Sequence, residues 1–131
     1  MKNVLSNKTQ NLKRQTGATM MGMLFVGGML VFVALLGMKL FPAYQEFFSV
    51  KSVIKAMKQD SLSSMSKGEI IASFDRRADI GYVKALTGKD LEIGKNASGE
   101  TVVTAKYQVI TPLVGNISAL MNFETSTDDK L

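Results

Sequence analysis

The stretch RQTGATMMGMLFVGGMLVFVALLGMKLFPAY, residues 14–44, decides the architecture of this chain. Residues 15–38 carry no charge, and the 21 positions of residues 18–38 are mostly apolar. At about 1.5 Å per residue, a helix of this length crosses roughly the 30 Å hydrocarbon core of a bilayer. A secretory signal has a shorter apolar region followed by a small-x-small cleavage site, which the following KLFPAY does not supply. The stretch therefore predicts a permanent transmembrane helix over residues 18–41.

The basic residues are concentrated around this helix. Four bases and no acid precede it in residues 1–17, whereas eleven bases and eleven acids follow from Pro42 onward. By the positive-inside rule, residues 1–17 lie in the cytoplasm and the C-terminal part lies across the membrane, which is the periplasm in a Gram-negative cell. The lipid bilayer is thus the first expected partner. Nucleic acid is not expected as one, because the folded part has no excess of bases to neutralise phosphates.

Small residues are frequent in the apolar helix. Gly27 and Ala34 are seven positions apart and lie on nearly one helix face, whereas Ala18 and Gly22 form a small-xxx-small pair on another. With Gly37, these glycines and Ala34 form a candidate helix-packing face for a membrane or envelope protein or for a second copy of the chain, as in a homo-oligomer. The alternative is that glycine is simply common in membrane helices.

The residue inventory argues against an enzyme. Histidine and cysteine do not occur, which excludes Ser-His-Asp and Cys-His catalysis and ordinary zinc sites. Two S-x-x-K matches, Ser52 with Lys55 and Ser64 with Lys67, lack the companion S-D-N and K-T-G elements of penicillin-interacting enzymes. We therefore expect no catalytic residue, no cofactor and no metal, and an envelope hydrolase is only the third hypothesis.

The periodicity beyond Pro42, where we expect a kink or a break, predicts two helices. Residues 43–60 have an apolar stripe at helical spacing, and the stripe most simply packs on a sheet. Ser66 and Glu69 fit a capping box that opens a short second helix. The charged side chains of residues 75–79 are interpreted as the solvated face of that helix.

The period changes from 3.6 to 2 after Asp90 and predicts three strands. A turn at residues 95–99 and a loop at residues 111–116 separate them. The predicted fold is α+β, with amphipathic helices packed on a small three-stranded antiparallel β-meander behind the transmembrane helix. The periplasmic domain would cover residues 42–125, and residues 126–131 would be a flexible tail.

The sequence also resembles two known protein families. RQTGAT at residues 14–19, followed by the apolar helix, resembles the leader of type IV prepilins and pseudopilins, which implies processing between Gly17 and Ala18. That family usually has glutamate at the fifth mature position, where this chain has Gly22. The second hypothesis is therefore a minor pseudopilin that enters a short filament.

The second resemblance covers nearly the whole chain. QTGAT (residues 15–19), LGMKLFPAY (36–44), FSV (48–50) and YQVITPLVGN (107–116) with Phe123 resemble a family of small Gram-negative inner-membrane proteins classed as a domain of unknown function. Genes of that family commonly lie near the gene of signal peptidase I, and its usual tyrosine-acid pair is Tyr107-Gln108 here. The resemblance implies a single-span inner-membrane protein with a periplasmic domain and implies no activity. The first hypothesis is accordingly a non-enzymatic accessory or interaction protein of the cell envelope or secretion machinery.

Overall fold

The computed structural model describes residues 19–128. Its helices and strands, in chain order, are α1 (Met20–Met57), α2 (Lys67–Ile80), β1 (Glu92–Lys95), β2 (Thr101–Val114) and β3 (Ile117–Ser126). Short 3₁₀ turns occupy Leu62–Ser64 and Gly88–Asp90. The strands form one antiparallel sheet in the order β1-β2-β3. The predicted α+β class and the three-stranded meander are therefore confirmed.

The chain forms two compact units, Met1–Val33 and Ala34–Leu131. In the first unit, the structure describes Thr19 and the helical residues that follow it. The Thr19 hydroxyl accepts a hydrogen bond from the backbone N–H of Gly22 at 3.3 Å, as an N-cap residue does. No residue in the most apolar window of α1 is buried, and this helix is long and apolar enough to cross a membrane.

Helix α1 continues through Pro42, so the predicted break there is wrong, while a bend stays a prediction. Proline removes one helical hydrogen bond, but residues on its C-terminal side are held by packing in the second unit. Ala43 is buried directly after the proline, and Val50, Ile54 and Met57 are at most 1% exposed. Tertiary packing thus outweighs the local preference of proline to end a helix.

The core of the second unit lies between α1, α2 and the sheet. The apolar stripe predicted for residues 43–60 supplies one side of it, which confirms that prediction. Ile70 and Phe74 of α2 are 1% and 0% exposed, and Val103 of β2 is fully buried as well. Burying each such side chain contributes roughly 1.5–3 kcal/mol, which offsets the entropy of ordering the helices on the sheet.

The capping box at the start of α2 is present as predicted. The backbone N–H of Ser66 donates to the Glu69 carboxylate at 2.6 Å, and the Ser66 hydroxyl accepts from the Glu69 N–H at 3.3 Å. These hydrogen bonds favour the ionised carboxylate and lower the pKa of Glu69.

The charged residues of α2 are not simply a solvated face, and that interpretation is wrong for two of them. Arg77 donates to both carboxylate oxygens of Asp60 at 2.8 and 3.1 Å. Asp75 accepts from the backbone N–H of Gly88 at 2.6 Å. Both side chains therefore tie α2 to neighbouring segments.

The β2–β3 hairpin is longer than predicted, and the loop expected at residues 111–116 is wrong. Strand β2 runs to Val114, and only Gly115 and Asn116 separate it from β3. Gly115 adopts a φ of 56°, which glycine reaches without a side-chain penalty. Strand β1 pairs with β2 only as far as Thr104, so Pro112 faces no strand on that side. A β-bulge lies between Pro112 and Val114, and proline, which lacks a backbone N–H, is tolerated at edges and bulges.

The segment expected as a flexible tail begins with ordered residues. Ser126 ends β3, and Thr127 is 6% exposed. The Thr127 hydroxyl accepts from the Val103 N–H at 3.1 Å, and the Thr127 N–H donates to the Val103 carbonyl at 3.0 Å. Residues 129–131 lie outside the described residues.

Candidate functional site

The candidate helix-packing residues all lie in α1. Added Cβ atoms at Gly27 and Gly37 would meet nothing within 4 Å, and Ala34 is exposed. At Gly22, an added Cβ would approach the Thr19 hydroxyl to 3.2 Å. Within the described residues, no neighbour therefore requires glycine at positions 27 and 37, and these small side chains leave room for a neighbour outside the chain.

The candidate processing site cannot be placed in the same way. Gly17 and Ala18 lie outside the described residues, which start at Thr19. Processing between them stays a prediction from the sequence.

An aromatic cluster joins the C-terminal half of α1 to the hairpin. The Phe123 ring stacks on Phe47 with centroids 4.8 Å apart and meets Tyr44 edge-on at 5.3 Å. The Tyr107 ring lies 5.4 Å from Phe123 on the neighbouring strand. Such pairs contribute about 0.5–1.5 kcal/mol each beyond area burial, so α1 and the hairpin are firmly attached along this line.

The Tyr107 hydroxyl is the buried polar group in this cluster. Its oxygen has no hydrogen-bond partner among the described residues, and the side chain is 8% exposed. Burial, and then the negative charge of Glu46, raise the pKa of Tyr107 to about 12. Glu46 itself accepts hydrogen bonds from the backbone N–H groups of Lys84 and Ala85, the latter at 2.7 Å. These two hydrogen bonds therefore fix the segment after α2 against α1.

The carboxylates of Asp60, Asp75 and Asp90 also hold the backbone or a base. Asp90 accepts from the Thr87 N–H and hydroxyl at 2.8 and 2.9 Å, which lowers the pKa of Asp90. Asp60 and Asp75 are engaged with Arg77 and Gly88, as described above. Among residues 19–128, no group of three or more carboxylates lies close enough to hold a metal ion.

The two S-x-x-K pairs have different settings. Ser64 closes a 3₁₀ turn and donates its hydroxyl to the Ser61 carbonyl at 2.7 Å, whereas Lys67 begins α2. That serine and lysine are therefore not one turn apart on a single helix. Ser52 and Lys55 do share α1, and both are exposed.

An open groove of about 530 Å³ lies beside the first 3₁₀ turn. It is bordered by Lys58, Asp60, Asn96 and Glu100. Asp60 is engaged by Arg77, and the Asn96 side-chain oxygen accepts from the N–H groups of Ser98 and Glu100, both at 3.0 Å. Asp60 and Asn96 are therefore already engaged within the fold.

A comparison with family models shows which protein family the chain belongs to. The model described as Domain of unknown function (DUF4845) matches residues 39–123, which is more than half of the chain. The chain belongs to the DUF4845 family. Searches of the curated proteins and of the solved structures found no match. The expected membership of a family of unknown function is confirmed, whereas the gene neighbourhood and the pilin-like segment are not part of this match.

The DUF4845 region begins at Lys39 and therefore includes the C-terminal half of α1, α2 and the sheet up to Phe123. It also contains two exposed apolar surfaces that were not among the sequence predictions. Ile80, the last residue of α2, and Tyr82, just after it, are 80% and 84% exposed. Tyr82 has a φ of 55°, which is unusual for a residue with a side chain. The second surface is the end of the β2–β3 hairpin.

Proposed function

We propose that this DUF4845 protein is a non-enzymatic, single-pass inner-membrane protein that acts as an accessory or interaction protein of the cell envelope or secretion machinery. The observation that carries the proposal is the division of α1. Its N-terminal part exposes apolar side chains such as Phe25 and Leu30, whereas Val50, Ile54 and Met57 of the same helix form the core of the second unit. The membrane anchor and the domain core are therefore parts of one helix.

The orientation in this proposal follows from charge. The bases of residues 1–17 stay in the cytoplasm, and the domain of residues 42–125 faces the periplasm. The partner is a membrane or envelope protein that packs on the small residues of α1, with a second copy as the homo-oligomeric case. The resemblance to proteins encoded near signal peptidase I supports secretion machinery as the setting.

Purification in mild detergent with a matched pair of variants tests the proposal. Gly27→Leu with Ala34→Leu fills the small-residue face, and a stoichiometric partner of the wild type should be lost. Phe25→Leu with Phe32→Leu is the matched control. Its two positions are also seven apart, but they lie about 200° around the helix from Gly27 and Ala34, so this variant should retain the partner. A monomer without any partner under gentle conditions, or equal loss in both variants, contradicts the proposal.

A second candidate is a minor pseudopilin processed between Gly17 and Ala18. The observation in its favour is the 38-residue α1 at the N-terminal side of an antiparallel meander, since pilins have a long N-terminal helix packed on such a sheet. Mass spectrometry of the mature protein separates the two candidates. A chain that starts at Ala18 supports the pseudopilin, and a chain that retains its residues before Gly17 excludes it.

A further inference from the structure

The outer part of the β2–β3 hairpin is free of charge. Residues 107–123 contain 17 positions without Asp, Glu, Lys or Arg, whereas no other charge-free run between residues 42 and 128 exceeds six. Lys106 and Glu124 are register partners at the border of this segment, with their charged atoms 3.8 Å apart. The hairpin therefore changes at one cross-strand pair from a charged surface to an uncharged one.

This uncharged segment ends in an exposed apolar surface, which we name the hairpin tip. It consists of Ile110, Val114, Ile117 and Leu120, which are 69%, 60%, 62% and 56% exposed. Ile110 is the register partner of Leu120, and Val114 is the register partner of Ile117. Ile117 and Leu120 are three positions apart in β3, so the two pairs lie on opposite faces of the hairpin and make its outer part apolar on both faces. Single exposed apolar residues are normal on soluble surfaces, whereas such a concentration is not.

The hairpin tip lies near the end of the apolar stretch of α1. The Lys39 ammonium donates to the carbonyl of Leu113, one residue before the tip's Val114. Lys39 is also the first charged residue after Arg14, and a lysine at such a position extends its ammonium to the membrane–water interface. The tip is therefore held where α1 would leave the hydrocarbon core.

Two contact points show how far the hairpin extends along α1. Phe47 stacks on Phe123, and Lys39 meets Leu113. Eight helical residues advance about 12 Å, whereas the six strand residues from Tyr107, the register partner of Phe123, to Leu113 advance up to about 20 Å. Because both segments join the same two contacts, the strand is inclined to the helix, and its continuation past Leu113 carries Val114 and Ile117 of the tip further toward the membrane side.

We propose that the hairpin tip inserts into the interfacial region of the bilayer leaflet from which α1 emerges, as a second membrane contact of the same chain. The inference rests on the membrane anchoring in the proposed function. Lipid is the occupant that fits, because the tip is apolar, its neighbours Gln108 and Asn122 are uncharged, and Lys39 marks the headgroup level beside it. Exposed Phe41 on α1 adds an aromatic side chain at the same level.

Site-specific fluorescence quenching in nanodiscs tests this contact in the full-length protein. The chain has no cysteine, so single cysteines can be introduced without background labelling. Asn116→Cys places a label in the hairpin turn, and Ser98→Cys places the matched label in the β1–β2 turn at the other end of β2. Leu30→Cys labels the apolar part of α1 and reports on the anchoring itself. Quenchers are nitroxide-bearing lipids and aqueous iodide.

The expected result is severalfold stronger lipid quenching at Asn116 than at Ser98, with severalfold weaker iodide quenching. Adding Ile110→Asp with Leu120→Asp should abolish the lipid quenching at Asn116 without changing that at Leu30. Iodide access at Asn116 equal to that at Ser98 overturns the inference. So does shielding from both quenchers, which would indicate a protein or a second copy on the tip, and so does lipid quenching that survives the aspartates. Loss of lipid quenching at Leu30 instead contradicts the membrane anchoring of the proposed function.

Discussion

Gly88 lies in the 3₁₀ turn between α2 and β1, and the structure leaves no room for a side chain there. A Cβ added at Gly88 would lie 2.7 Å from the Ile71 carbonyl oxygen, 2.8 Å from the Ile71 Cγ2 and 3.0 Å from an Asp75 carboxylate oxygen. The closest of these contacts is with backbone, which cannot rotate away. Gly88→Ala therefore forces the turn and α2 apart.

The cost of Gly88→Ala has two parts. Overpacking of this kind typically costs about 1–3 kcal/mol. The separation also weakens the 2.6 Å hydrogen bond from the Gly88 N–H to Asp75, and a hydrogen bond to a charged group contributes about 1.5–3 kcal/mol. We expect the free energy of unfolding to fall by roughly 2–5 kcal/mol, which lowers the Tm of a domain of this size by roughly 10–30 °C.

Circular dichroism of the full-length protein in mild detergent measures this change. Gly94→Ala is the matched control, because a Cβ at Gly94 in β1 meets nothing within 4 Å. The control should stay within about 0.5 kcal/mol of the wild type. A Tm of Gly88→Ala within a few degrees of the control would refute the reasoning, since the turn would then relax away from Ile71 without loss of the Asp75 contact.

Two further substitutions test the core and its pH dependence. Ile54→Ala, at a position 1% exposed, should lower the free energy of unfolding in urea by about 2–5 kcal/mol, whereas exposed Lys55→Ala should change it little. Because the pKa of Tyr107 is raised from 10.0 to about 12, its contribution to stability is complete below pH 10.0 and is lost as the pH rises toward 12. Tyr107→Phe should reduce this alkaline loss of stability, and Tyr82→Phe, at an 84% exposed position, should not; equal alkaline curves for both variants would contradict the assignment.

Local patterns predicted the elements of this fold where the signal lies within a few residues. The capping box at Ser66, the stripe that ends at Met57 and the alternation of β2 each depend on neighbours along the chain, and the structure contains all three. Tertiary contacts were not predictable in this way. The partners of Arg77 and Asp75 are 17 and 13 residues away, and no periodic pattern names a partner at that distance.

The proline and glycine of residues 111–116 explain why a loop was wrongly predicted within the β2–β3 hairpin. The sequence TPLVGN at residues 111–116 has the composition of a loop, because proline lacks a donor and glycine favours turns. In the structure Pro112 is tolerated next to a bulge, where β1 no longer pairs with β2. The length of β1 therefore decides whether Pro112 can lie in a strand, and that information is not contained in residues 111–116.

The absence of charge in residues 107–123 was readable from the sequence, but its meaning depends on the fold. As a loop and two short strands, this segment would be scattered over the domain surface. As one hairpin whose end is bound to Lys39, it gathers its apolar side chains in the outer part of one hairpin beside α1. A domain held by α1 alone would be free to rotate with that helix, whereas insertion of the hairpin tip fixes which side faces the lipid. The β1–β2 turn, at the opposite end of β2, then points away from the tip.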